Sequence, residues 1–123
     1  MKWYTKAANQ GNAEAQAQAN LGLKYDNGEG VPENNKTAVK WYTLAAEQGY
    51  AMAQGNLGNM YFNGTGVLTD SRRAYMWLNL GSYNGSERGG KRKDDMAKKM
   101  TPADISKAQD MSSTCLESNY TDC

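Results

Sequence analysis

The sequence predicts an all-α fold, a solenoid of antiparallel helix pairs closed by a helical C-terminal cap, and three observations support this prediction. A pattern of leucine, glycine and tyrosine recurs after 36 residues. Within each period, apolar residues are spaced three and four positions apart, which is typical of one face of a helix. Glycine-rich segments separate these stretches and mark the ends of helices.

The period is carried by single positions that keep their spacing. The first copy has Leu21, Gly22, Tyr25, Gly28, Gly30 and Val31, and the second has Leu57, Gly58, Tyr61, Gly64, Gly66 and Val67. Trp41 and Trp77 recur at the same offset close to alanines, which predicts that both belong to the core. A period of this length is typical of stacked helix pairs, each of which buries its apolar face against its neighbours.

The period divides a single domain of 123 residues into four parts. We expect the second helix of an incomplete repeat at 2–13, repeats at 14–49 and 50–85, and capping helices with a tail at 86–123. Trp3 precedes its counterpart Trp41 by 38 residues, so the first part contains two extra residues. We place them around Asn12 to Glu14, in a connection, because an insertion within a helix would turn its face by about 200°.

Capping residues locate the individual helices. The first helices of the repeats are expected near 15–27 and 51–63, and the second helices after the N-cap residues Asn34 and Asp70. A polar loop at 86–90, a short charged helix at 91–100 and a last helix from Thr101 to about Glu117 complete the prediction.

Composition argues against several classes of function. Histidine is absent, which removes the commonest general base and zinc ligand, so no catalytic residue, metal site or cofactor is predicted. The formal charge of +1 gives no reason to expect nucleic acid or an anionic membrane as the partner. No apolar stretch is long enough for membrane insertion, and we expect no export signal in the first residues, which become polar at Asn9-Gln10-Gly11.

The segment from Lys40 to Val67, KWYTLAAEQGYAMAQGNLGNMYFNGTGV, resembles the Sel1-like repeat, a relative of the tetratricopeptide repeat. More than a dozen positions carry the resemblance, which extends through the partial copies over residues 2–85, and the tail resembles capping segments of bacterial repeat proteins. The resemblance implies a right-handed superhelix and, commonly, a scaffold or adaptor role in signalling complexes or host contact. It implies no shared catalytic residues.

A protein or peptide partner would bind to the concave surface, which the first helices of stacked pairs line. If Ala53, Leu57, Gly58 and Tyr61 face the core, the opposite face carries Met52, Asn56, Asn59, Phe62 and Asn63, and its counterparts are Gln16, Asn20, Leu23, Asp26 and Asn27. Amides suit an extended peptide backbone because they both donate and accept hydrogen bonds. We expect Asn59→Ala with Phe62→Ala to abolish partner capture in a folded chain, unless the amides are only solvated and Phe62 packs under the next loop.

Three other features have competing interpretations. An apolar edge at Trp3-Tyr4 would permit a homodimer, and the chain would then be a self-associating structural protein. A hydrolase acting on cell-wall or small-molecule substrates would need a nucleophile and a base, and the serines, aspartates and lysines of the chain show no spacing recognisable as such a pair. The basic cluster could bind phosphate but lacks interleaved aromatic residues, which favours a solvated capping helix. It consists of Arg88, Lys91, Arg92, Lys93, Lys98 and Lys99, interrupted by Asp94 and Asp95.

Cys115 and Cys123 stand near the end of the last helix and at the last position. They could close a disulfide or remain two thiols, and a reactive thiol or zinc site is disfavoured because CxxC spacing and histidine are both absent. Secreted proteins similar to Sel1-like repeats carry cysteines at this spacing, so the resemblance favours the disulfide. A disulfide would imply a periplasmic or secreted protein whose signal peptide has been removed, and free thiols a cytoplasmic one.

Overall fold

The computed structural model describes residues 2–123, with side chains described from Ala13 onward. These residues form six helices and no strand, which confirms the predicted all-α fold. The helices are α1 (Lys2–Asn27), α2 (Asn35–Ala46), α3 (Ala51–Asn63), α4 (Ser71–Tyr83), α5 (Glu87–Ala97) and α6 (Pro102–Glu117).

The helices begin and end at the residues that the capping rules indicate. The side chains of Asn34, Asp70 and Thr101 each accept a hydrogen bond from the backbone N–H three residues later, at 3.1 Å. Gly28 and Gly64 follow α1 and α3 with φ values of 70° and 69°, a left-handed conformation that favours glycine at the end of a helix. The predicted bounds of α3 are confirmed.

Two predicted connections are helical in the structure. Residues 2–27 form one helix, so the predicted connection around Asn12 to Glu14 is wrong. Around Gly11 the chain has no proline, and the alanines and glutamines that follow favour a helix strongly enough to offset the cost of about 1 kcal/mol for one glycine. The predicted loop at 86–90 is also wrong, because the side chain of Ser86 accepts a hydrogen bond from the Gly89 N–H and begins α5 at Glu87.

The helices pack in two layers and an outer cover. Helix α2 packs between α1 and α3, α4 packs between α3 and α5, and α3 also contacts α5. The odd-numbered helices therefore form one layer, and α2 and α4 form the other. Helix α6 lies along α4 and runs in the same direction, since Arg72 pairs with Asp104 near the start of both helices and Asn79 donates to Ser112 further along.

The core lies between the layers and is built from small and aromatic side chains. Tyr42, Leu57 and Trp77 are buried in the main cluster, which confirms the core prediction for Trp77, whereas Trp41 is only partly buried. Buried Gln54 connects three segments, because its amide donates to the Ala46 carbonyl at 3.0 Å and accepts from Asn84 at 2.8 Å. A buried polar side chain satisfied in this way fixes how α2, α3 and α4 meet.

Candidate partner-binding surface

The candidate surface lies on the odd-numbered helices. The sequence predicted it on α1 and α3, and the structure adds α5. Helix α5 contacts α3 and occupies the same place in the array 36 residues later along the chain. Arg88, Arg92 and Asp95 of α5 therefore correspond in turn to Met52, Asn56 and Asn59 of α3, each 36 residues earlier. The repeated residues are no longer recognisable in α5, but α5 still occupies the position of a first helix in the array.

The predicted surface residues divide into two groups by exposure. The exposed side chains are those of Gln16, Asn20, Leu23, Asn27 and Asn63, and the half-buried ones are those of Asp26, Met52, Asn56, Asn59 and Phe62. The exposed group belongs mainly to α1 and the half-buried group mainly to α3. Helix α3 is less open because α5 lies beside it, so a partner on α3 would also meet α5.

Phe62 has a packing role that its sequence position did not indicate. It contacts a second apolar cluster made by buried Ala74, Leu78 and Met96, and the ammonium of Lys99 lies 5.5 Å from the centre of its ring. It therefore packs against α4 and α5 and not simply under the next loop. Because Phe62→Ala would remove part of this cluster, loss of binding in that variant could not be separated from loss of packing.

The α3–α5 cleft consists of two adjoining cavities that share Arg88. The first encloses about 410 Å³, and the second about 510 Å³. The first is lined by Tyr50, Ala51, Met52, Gly55, Asn56, Gly85, Ser86 and Arg88, and the second by Asn59, Arg88, Lys91, Arg92 and Asp95. The cleft thus joins the predicted amides of α3 to basic residues of α5 that the sequence assigned to a solvated cap.

Tyr42 lies behind this surface, fully buried with its ring against α1. A Cβ on Gly22 would lie 2.8 Å from the ring, so glycine at this position allows α1 and α2 to approach closely. Among the described side chains, none makes a hydrogen bond to the Tyr42 hydroxyl. Burial, and then the charge of Asp26, raises the pKa of Tyr42 to about 12, and the nearby Asn56 amide only partly opposes this rise.

We expect Tyr42→Phe to be at least as stable as the wild type at pH 7 and to resist alkali better. Tyrosine ionises near pH 10 in the unfolded chain but near 12 when folded, so its contribution to stability is complete below pH 10 and is lost as the pH rises toward 12. The wild type should lose about 1.4 kcal/mol by pH 11 through this group. Urea unfolding at pH 7, 9 and 11 measures the difference.

Tyr83→Phe is the matched control for this pH series, because Tyr83 is 74% exposed. The control should lose stability with pH as the wild type does. A Tyr42→Phe variant that loses stability in parallel with both would contradict the assigned cause.

The side chains of Trp3 and Tyr4, to which the sequence assigned an apolar edge for self-association, lie outside those that the structure describes. The homodimer therefore stays a prediction from the sequence.

Stacked helix pairs with a 36-residue period define the chain as an α-helical repeat protein. A family model described as Sel1 repeat matches residues 1–12, 15–50 and 51–86, and the chain belongs to the Sel1 repeat family. Members of this family are generally protein-interaction scaffolds, and the fold is typically non-enzymatic. A search of curated proteins found no significant match.

Two solved structures of similar proteins show the same architecture. One is c5321, a protective antigen present in uropathogenic Escherichia coli strains and displaying an SLR fold, which is 33% identical with a TM-score of 0.82 over 97% of this chain. The other is a Sel1 repeat protein from Oxalobacter formigenes, 36% identical with a TM-score of 0.66 over 76% of this chain and 69% of that one. The present chain spans about a quarter of c5321, 26% of its length.

Proposed function

We propose that the chain is an adaptor module that holds an extended segment of a protein partner in the α3–α5 cleft and along α1. The cleft is the observation that carries this proposal. Its wall combines the apolar side chain of Met52 with the amide of Asn56, and Arg88 stands on the opposite side. Apolar contact together with a few placed polar groups is the usual composition of a binding cleft.

The amides of the surface suit a peptide backbone. Asn20 is exposed on α1, and Asn59 is half-buried in the cleft on α3. Each amide offers donors and an acceptor, and an extended peptide presents both kinds of group along its length. The proposal assigns no reaction to the module, because the repeated residues of α1 to α4 serve helix packing.

The disulfide bears on where the module works. Cys115 and Cys123 are paired in the structure. We propose an oxidising compartment, either the periplasm or the cell exterior, because disulfides persist there and are rare in the cytosol. None of the helices in residues 2–123 has the length and apolar character needed to cross a membrane.

Asn20→Ala with Asn59→Ala is expected to weaken peptide binding about tenfold, because it removes two amides from the surface and costs little packing. Peptides would first be selected from a random phage-displayed library on the wild-type chain, and their dissociation constants would then be measured by fluorescence anisotropy. Alanine favours helices, so this double variant should stay folded. Circular dichroism checks the fold, and sedimentation at the same concentrations checks that the chain has not self-associated.

Gln109→Ala is the matched control, since its amide is exposed on α6, away from the proposed surface. It should bind the selected peptides as the wild type does. Failure to select any peptide, or equal binding by the Asn20/Asn59 variant, would overturn the proposal.

A further inference from the structure

A row of basic side chains follows one face of α5 and its end. Their spacings along the chain are three, one, six and one positions, which keeps them on one side of a helix. The residues are Arg88, Lys91, Arg92, Lys98 and Lys99. We call these five residues the cationic stripe. All five are exposed. Asp95 lies on the same face, and Glu87 and Asp94 lie one turn from Lys91 at its border.

The cationic stripe borders the α3–α5 cleft along its length. Arg88 contributes to both cavities, and Lys91 and Arg92 line the second together with Asn59. At the far end, Lys99 lies over the ring of Phe62 on α3. The amide face of α3 and the cationic stripe of α5 are therefore the two sides of one cleft.

The cationic stripe makes no ion pair within the described part of the molecule, and residues 87–99 carry six basic and three acidic side chains, a net charge of +3. The ion pairs that the structure shows there join Arg72 to Asp104 and Arg73 to Asp70, near the starts of α4 and α6. Since the whole chain has a formal charge of only +1, the rest of the molecule is net negative. The cleft is thus a local positive region, and a cleft lined by one sign of charge attracts the opposite sign.

The spacing of the two arginines indicates how acidic groups would be arranged. Arg88 and Arg92 are four residues apart on α5, so they are about 6 Å apart along its axis. In an extended peptide, side chains two residues apart point to the same side and are about 6.6 Å apart. Carboxylates at alternate positions of a peptide that lies along α5 would match this spacing, and guanidinium groups bind carboxylates with two parallel hydrogen bonds.

We propose that the cleft selects an acidic peptide segment with carboxylates at alternate positions, bound by Arg88 and Arg92 while its backbone meets the amides of α3. This rests on the proposed function, which it narrows to one class of partner. A single-stranded nucleic acid is less suited to the cleft, because base stacking needs exposed aromatic rings. The rings of Tyr50 and Phe62 are both partly buried against apolar clusters, and Lys99 lies over that of Phe62.

The test compares four labelled probes by fluorescence anisotropy at low and moderate salt. They are the peptides SDSDSDS, SNSNSNS and SDDSSDS and an oligothymidylate. SDSDSDS should bind most tightly, about tenfold better than the neutral SNSNSNS, and more weakly as salt increases. SDDSSDS has the same composition but no two acids at alternate positions, so it should bind more weakly than SDSDSDS, and equal binding would contradict the alternate spacing.

Arg88→Ala with Arg92→Ala should weaken SDSDSDS binding about tenfold. Lys36→Ala with Lys40→Ala is the matched control, because these lysines are also exposed and four residues apart, but on α2. The control should leave binding unchanged. Equal binding of SDSDSDS and SNSNSNS, tighter binding of the oligothymidylate, or an unaffected Arg88/Arg92 variant would overturn the inference.

The two proposals fail in different ways. If library-selected peptides depend on Asn20 and Asn59 but not on Arg88 and Arg92, the adaptor function stands and the acidic partner is wrong. If no peptide binds in either experiment, both are wrong.

Discussion

Gly58→Val is expected to lower the free energy of unfolding by about 3 kcal/mol. A Cβ at Gly58 would lie 2.7 Å from Cγ of Leu78 and 3.1 Å from the backbone oxygen of Ala74. Leu78 is completely buried, so it has no free space into which it can move. Two further methyl groups on the same Cβ would force α3 and α4 apart. Urea unfolding followed by circular dichroism measures the change.

Gly55→Ala is the control for the Gly58 prediction, since both glycines belong to α3 and both are buried. A Cβ at Gly55 would meet only Oγ of Ser86, at 3.3 Å. Alanine is favoured over glycine in a helix by up to about 1 kcal/mol, so this variant should be as stable as the wild type or more so. Equal destabilisation by both substitutions would show that the close approach of α3 and α4 is not the cause.

Removing the disulfide with Cys115→Ala and Cys123→Ala is expected to cost about 2.5 kcal/mol of stability, because the bond restricts the unfolded chain. The bond also ties down the tail. Tyr120, which lies in the tail, packs against Gly49 and accepts a hydrogen bond from Asn84 at 3.0 Å. A reductant should destabilise the wild type to a similar extent, as measured by urea unfolding.

The double alanine variant supplies the control for the reductant, which should leave its stability unchanged. Intact mass under non-reducing conditions should be lower than that of the reduced chain by two hydrogen atoms. Two alkylatable thiols in freshly isolated protein would contradict the disulfide and, with it, the proposed oxidising compartment.

The sequence predicted most of the fold because its helix signals are local. The side chains of Asn34 and Asp70 cap α2 and α4, and the glycines after α1 and α3 adopt the left-handed conformation that the repeat required of them. The continuity of α1 was not predictable from the period alone, because Gly11 resembles a repeat boundary and only its neighbours favour a helix.

The candidate site was predicted only in part, because half of it depends on tertiary contacts. The amides of α3 could be found from their spacing opposite the core. Arg88 and Arg92 could not be assigned to the same cleft, since the repeat consensus fades before α5 and composition alone favours a solvated helix. Extending the 36-residue offset from Met52 and Asn56 to Arg88 and Arg92 is the signal that could have found them.

The central claim is that the layer of α1, α3 and α5 binds a peptide, and NMR tests it most directly. A peptide selected on the wild-type chain would be titrated into isotope-labelled protein while the backbone amide signals are followed. The largest shifts are expected for residues 52–59 of α3 and 88–95 of α5, the two sides of the cleft. Shifts confined to α2, α4 and α6 would contradict the claim.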